Sequence, residues 1–136
     1  MERTLVICKP DAVERGLVGE IVGRFERRAM SIVAMDLRVV DGDTAAKHYE
    51  EHHGKPFYPD LISFITRSPV VVLVVEGPED TWKIVRAMMG ATNSAEAAPG
   101  TIRGDLSVQF TENLIHGSDS AESAEREIGI WFPRLG

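Results

Sequence analysis

The run PVVVLVV, residues 69–75, decides how this chain folds. Its β-branched residues read as a strand, Val70–Glu76, buried enough to be apolar without alternation. It is also the longest apolar run in the chain, and seven residues are far too few to span a bilayer. Upstream, TLVIC at Thr4–Cys8 reads as another buried strand, and Pro10 and Asp11 open a helical segment, where a proline's missing N–H costs nothing. Leu17–Ala29 places Leu17, Ile21, Phe25 and Ala29 four apart, one apolar stripe of a helix. Ser31–Val40 partly alternates and is a second strand, closed by the turn signal Asp41-Gly42. Thr44–His53 and Phe57–Thr66 are predicted helices separated by Gly54 and Pro56. Downstream of the opening run, Glu79–Met89 is a helix with Trp82, Val85 and Met89 on one side. Gly90 to Arg103 shows little periodicity, and Leu106–Phe110 alternates as a fourth strand. Ser120–Ile128 is a last helix with Gly129 as its cap, before an apolar tail, IWFPRLG, that docks.

The order β-α-β-α-α-β-α-β-α reduces to a βαββαβ split unit. The fold class is therefore α/β, an α+β sandwich: a four-stranded antiparallel sheet with helices on one face. A doubly wound parallel sheet would want more strands. Residues 1–136 form one domain, with no repeat, low-complexity segment or linker.

Composition narrows the function. Fifteen basic against twenty-one acidic residues give a net charge of −6, a poor match to a protein that tracks nucleic-acid phosphates. The single cysteine, Cys8, ends an apolar run and reads as a small buried hydrophobe. With no disulfide possible and no signal peptide after MERT, the expected compartment is the cytosol, with no membrane contact.

Several motifs fail on inspection. GKP at 54–56 lacks the other parts of a Walker loop, and no G-x-G-x-x-G follows a strand. His48 and His52, in HYEEHH, sit four apart, but the glutamates stand in the wrong places for a zinc helix, so the segment reads as a solvated acidic helix face. Ser118 has no nucleophile elbow around it and is a cap or an orienting hydroxyl.

What remains centres on NLIHGSDS, residues 113–120. His116 precedes a helix whose start offers Asp119-x-x-Glu122, Ser118 and Ser120 as caps. A helix N-terminus disfavours imidazolium and recruits anions, so a neutral histidine beside a phosphate is one reading and a histidine satisfied by local backbone the other. Lys9, Arg86 and Arg103 lie at element ends, in a helix and in the irregular loop; each suits phosphate oxygens or a solvated surface. Phe57 could stack a base or staple a helix start.

NLIHGSDS resembles the N-x-x-H-G-S-D active-site signature of the nucleoside diphosphate kinase family. ICKPDAVERG, HYEEHHGKPFY, GPED, GATN, PGTIRGD and SAESAEREIGIWF are similar to that family in the same order, so the resemblance covers essentially the whole chain. It implies a ferredoxin-like fold and ping-pong transfer of a terminal phosphoryl group, through a phosphohistidine, from a nucleoside triphosphate to a nucleoside diphosphate. It makes His116 the nucleophile through Nδ1, Lys9 a contact to the transferring phosphate and ribose, and Tyr49 the tyrosine beside the histidine. Ser118 and Glu127 would orient the histidine. Arg86, Thr92 and Arg103 match phosphate ligands, Asn113 a ribose contact, and Phe57 the stacking aromatic with Leu61 beside the nucleotide. Magnesium, Mg2+, is expected on the nucleotide phosphates and not in a protein cage. The resemblance also implies a homo-oligomer, a hexamer rather than a tetramer, the chain ending at WFPRLG without the C-terminal extension of some members. Two positions depart from the family pattern. Ser94 follows TN where proline is common, which implies a more mobile loop, and Phe110 replaces a small aliphatic, which implies a second aromatic face and a tighter base slot.

Overall fold

The computed structural model describes residues 1–135. Four strands, β1 (Glu2–Cys8), β2 (Ser31–Arg38), β3 (Val70–Gly77) and β4 (Ile115–Gly117), form one sheet in the order β2-β3-β1-β4, antiparallel throughout. The helices are α1 (Pro10–Glu14), α2 (Val18–Arg27), α3 (Gly42–His48), α4 (Tyr58–Ile65), α5 (Thr81–Met89), α6 (Ile102–Leu106) and α7 (Ala121–Trp131).

The unbroken apolar run has its cause in the position of β3, which lies between β1 and β2 and is covered on both faces. On one side Val71, Leu73 and Val75 pack with Val6 and Cys8 of β1 against Ile21 and Phe25 of α2 and Val85 and Met89 of α5. On the other side Val70, Val72 and Val74 join Leu5 and Ile7 against Ala45 of α3, Ile65 of α4 and Trp131 of α7. Full burial of each such side chain contributes about 1.5–3 kcal/mol. Helices thus cover both faces, which corrects the expectation of one covered face. The edge strand β2 is different: Met35 and Leu37 are more than half exposed.

The fourth strand is also not where alternation put it. Thr101 caps α6, its hydroxyl accepting from the Gly104 N–H, so the chain is helical up to Leu106. Val108 and Phe110 are then exposed, and the alternating pattern of Leu106–Phe110 marks no buried face. The true β4 is three residues long and pairs with Val6–Cys8. At the C-terminus α7 runs through Gly129 and stops at Phe132, the residue before Pro133, where helical geometry is sterically disfavoured. Ser120 is its N-cap, accepting from the Ser123 N–H. Ser94, read as loosening its loop, is buried, and its N–H donates to the Gln109 carbonyl, a bond proline could not make.

Candidate active site

Three buried or half-buried cations are tied to residues on either side of His116. Lys9, one residue past β1, donates from Nζ to Asn113 Oδ1 at 2.8 Å. Arg103 is 4% exposed and donates to the carbonyls of Asn113, Gly90 and Ile115 at 3.1, 3.1 and 2.5 Å. Arg86, on α5, donates to the Gly117 carbonyl at 3.0 Å. A Cβ on Gly117 would press against the Met89 sulfur, so α5 reaches β4 this closely only because the residue after His116 has no side chain.

Crowding of cations away from water disfavours their charged forms. Burial, and then the Arg103 charge, bring the Lys9 pKa down to about 8, with Asp11 opposing. Burial and Arg86 bring Arg103 to about 10. Both effects weaken when an anion arrives, so this cluster is suited to phosphate.

His116 lies in β4 with 22% of its side chain exposed. Its Nε2 is 2.8 Å from Glu127 Oε1, and the same oxygen accepts from Ser118 Oγ at 2.8 Å. Burial works against the Glu127 carboxylate, but the hydrogen bond and charge of His116 outweigh it and hold the carboxyl below the usual range. An ionised carboxylate only accepts, so the proton of neutral His116 sits on Nε2 and the Nδ1 lone pair is free. Glu127 reaches back from α7, whose register is set by the Ser120 cap.

His48 was read as part of a solvated acidic face, and the structure overturns this. Helix α3 ends at His48, and Glu50–His52 form a separate 3-10 turn, so His48 and His52 do not share a helix face. His48 is buried, its ring 4.6 Å from that of His116 at a near-perpendicular angle. Trp131 Nε1 donates to its Nδ1 at 3.1 Å. Burial, and then the His116 charge, bring its pKa down to about 3, so it is neutral at physiological pH with its proton on Nε2. No spacing rule pointed to it, since its partners are 68 and 83 residues away along the chain. Tyr49 packs on His48, with ring centres 4.7 Å apart.

His48, His116 and Glu127 bring potential ligand atoms within 4.8 Å of one another. Trp131 occupies the one lone pair of His48, the reverse of the acceptor usually found behind a metal-bound histidine. Nor do two nitrogens and one oxygen suit magnesium, which takes oxygen ligands.

The remaining residues surround this centre. Asn113 is 2% exposed and also donates to the Thr92 carbonyl at 2.9 Å, while Thr92 itself is exposed. Phe57, at the start of α4, is 46% exposed and lies 5.4 Å from the His52 ring, with Lys55 Nζ 5.8 Å from its own centre. Leu61 is half-buried against the α7-side core. Phe110 is 62% exposed, outside either core.

The comparisons agree with this architecture. The family described as Nucleoside diphosphate kinase matches residues 2–135. The nucleoside diphosphate kinase of Rhodococcus jostii (strain RHA1) is 58% identical, with 98% of this chain and 96% of that protein covered. That of Corynebacterium diphtheriae is 56% identical, with 98% of each covered. Among solved structures, a halophilic nucleoside diphosphate kinase from Halobacterium salinarum in complex with CDP superposes with a TM-score of 0.93 at 48% identity, covering 96% of this chain and 87% of that one. A nucleoside diphosphate kinase family protein from Babesia bovis gives 0.94 at 47% identity, covering 97% and 88%. Matched over almost its whole length at the level of family, sequence and fold, the chain belongs to the nucleoside diphosphate kinase family.

Proposed function

We propose that this chain carries its family's reaction through a phosphohistidine on His116, moving the terminal phosphoryl group of a nucleoside triphosphate to a nucleoside diphosphate and so maintaining triphosphate pools. The observation that carries the reading is the Ser118–Glu127–His116 chain of hydrogen bonds, which puts the proton of a neutral His116 on Nε2 and leaves Nδ1 its lone pair, with Lys9, Arg86 and Arg103 tied to the residues that flank it. As Nδ1 bonds to the γ-phosphorus, the bond to the β–γ bridging oxygen breaks and the diphosphate leaves. In the second half, a terminal oxygen of the incoming diphosphate attacks the same phosphorus and the N–P bond breaks. Positive charge growing on the imidazole is met by the Glu127 carboxylate, and negative charge on the phosphoryl oxygens by Lys9, Arg86 and Arg103. Thr92 and Arg103 hold the outer phosphates, Asn113 and Lys9 the sugar, and Tyr49 flanks the histidine.

Magnesium rides on the nucleotide phosphates, where it neutralises charge. This chain's own part is to bind those phosphates. Phe57, with Leu61 behind it, and the exposed Phe110 offer two faces to a base. Stacking without base-edge readout tolerates every base. The apolar side chains exposed on edge strand β2 support assembly with further copies, and the resemblance to the family makes that assembly a hexamer. A tetramer mass by light scattering would overturn that assembly. Among the described residues no helix is long and apolar enough to cross a membrane.

Terminally labelled ATP tests the chemistry. The chain should take up an acid-labile, base-stable label, lose it to added GDP, and take up none as His116→Ala. A label that survives the substitution would refute the mechanism.

A further inference from the structure

The backbone just before β4 is strained. Leu114 has φ +76°, and the Ile115 N–H donates back to the Asn113 carbonyl at 2.9 Å. Together these make the rare positive-φ form of the three-residue γ-turn, centred on a leucine and not a glycine. This turn separates Asn113 from His116 by two residues and sets the direction in which each leaves the chain. Something must hold it, because a leucine prefers other conformations by roughly tenfold to hundredfold.

The turn's one outward N–H, that of Leu114, donates to Asp11 Oδ2 at 3.0 Å, across 103 residues of sequence. Asp11 is 4% exposed, and its other oxygen has no hydrogen-bond partner among the described residues. Burial pushes its carboxyl above the usual range, against the Leu114 N–H and Lys9. A buried carboxylate with one orphaned oxygen is costly to keep. The Leu114 bond is the contact that an apolar side chain at position 11 could not replace. On the turn's other side, the Lys9 N–H donates to the Leu114 carbonyl at 2.8 Å, so α1's first turn and the end of β1 grip both polar groups of one residue.

The geometry points to Asp11 as a positioning residue of the phosphotransfer site: by accepting from the Leu114 N–H it holds the γ-turn that aims Asn113 and His116. The inference rests on the phosphohistidine reading above. Asp11 touches neither His116 nor a nucleotide in this account; its charge also bears on Lys9 and Arg103, an effect that Asp11→Asn and Asp11→Ala share, so the difference between the two variants isolates the turn.

Asp11→Asn keeps an acceptor oxygen and Asp11→Ala removes it. In single-turnover labelling at saturating ATP, Asp11→Ala should phosphorylate His116 roughly tenfold to hundredfold more slowly, with the folded population verified by circular dichroism. Asp11→Asn should restore the rate to within about threefold, the loss of one charge-assisted bond. An Asp11→Ala rate equal to that of the unsubstituted chain overturns the proposal, as does an Asp11→Asn rate as slow as Asp11→Ala. If Asp11→Ala does not fold, hydrogen exchange decides. The Leu114 amide should be protected in the unsubstituted chain and in Asp11→Asn, and exchange at the rate of an open loop overturns the proposal. Absence of any His116 label in the unsubstituted chain would instead refute the phosphohistidine reading itself.

Discussion

Substitution of Glu127 tests the centre of the site most directly. Its Oε1 accepts from His116 and from Ser118, both at 2.8 Å, and its side chain is 7% exposed. In Glu127→Gln the amide oxygen can still face Nε2, but the bond is no longer charge-assisted. Neutral bonds contribute about 0.5–1.5 kcal/mol and charged ones about 1.5–3, so the difference is about 1–1.5 kcal/mol. The bond strengthens as the imidazole acquires charge in the transition state, so the loss appears in the rate of phosphorylation and not in nucleotide affinity. The expected result is a roughly five- to fifteenfold slower single turnover with terminally labelled ATP, at nearly unchanged KM. Glu127→Ala removes the partner entirely and frees the ring and the Ser118 hydroxyl, for a loss of roughly tenfold to hundredfold. Stability should respond too. The folded carboxyl titrates below its unfolded value, so its contribution is present at neutral pH and is lost as pH falls through the folded pKa. Glu127→Gln should therefore lose part of the acid-side decline in melting temperature. An alanine variant that labels within twofold of the unsubstituted chain would show that the Nε2–carboxylate bond does not contribute to the chemistry.

Three further outcomes are expected. Because Lys9 loses its proton near pH 8 in the free protein, kcat/KM should fall above about pH 8, and Lys9→Arg should move that limb upward while lowering the plateau; a limb still near 8 in the arginine variant contradicts the assignment. His48 is held neutral to about pH 3 in the fold but takes up a proton near 6.5 once unfolded. The unfolded state thus binds more protons between those values, and stability, by a few kcal/mol, is lost as pH falls through that window. His48→Gln should flatten the slope of melting temperature against pH from 6.5 to 4, and an unchanged slope refutes it. Phe110→Val should raise KM for purine nucleotides about three- to tenfold without changing the melting temperature, since the ring is exposed; an unaltered KM removes it from the base slot.

The sequence carried the fold well where burial repeats regularly. β1 and β3 stand out because they are buried on both faces along continuous apolar runs, and α2 because its buried side chains recur at helical spacing. β4 was missed because three residues between a left-handed leucine and a capped helix leave too short a pattern to read. The alternation of Leu106–Phe110 misled for the complementary reason: Val108 and Phe110 are open to solvent, and only Leu106 touches a core. Within the site, residue chemistry alone suggested an anion near His116, and the full-length resemblance assigned the roles. Neither reached His48 or Asp11. His48 looked solvated while α3 was drawn past its true end, and Asp11 acts on a backbone amide 103 residues later, a contact no local pattern encodes.

The cations of this site are fixed before any nucleotide arrives, and the reason is that the regular sheet stops beside them. Arg103 donates to the carbonyls of Asn113 and Ile115, beside the end of the β1–β4 ladder, and to that of Gly90 at the end of α5. That leaves two of its five N–H donors uncommitted. Arg86 on the Gly117 carbonyl repeats the arrangement, whereas Lys9 is held by the side chain of Asn113. A side chain anchored to backbone loses little further rotamer freedom on binding, so more of its attraction to phosphate is available to stabilise transferring charge. The same anchoring concentrates positive charge in a poorly hydrated space, which is why Lys9 and Arg103 lose protons more readily than usual. Destabilised in the free protein and relieved by an anion, that charge would, on the proposed mechanism, favour states in which phosphoryl oxygens are densest, which would make strut and electrostatic catalyst one set of side chains.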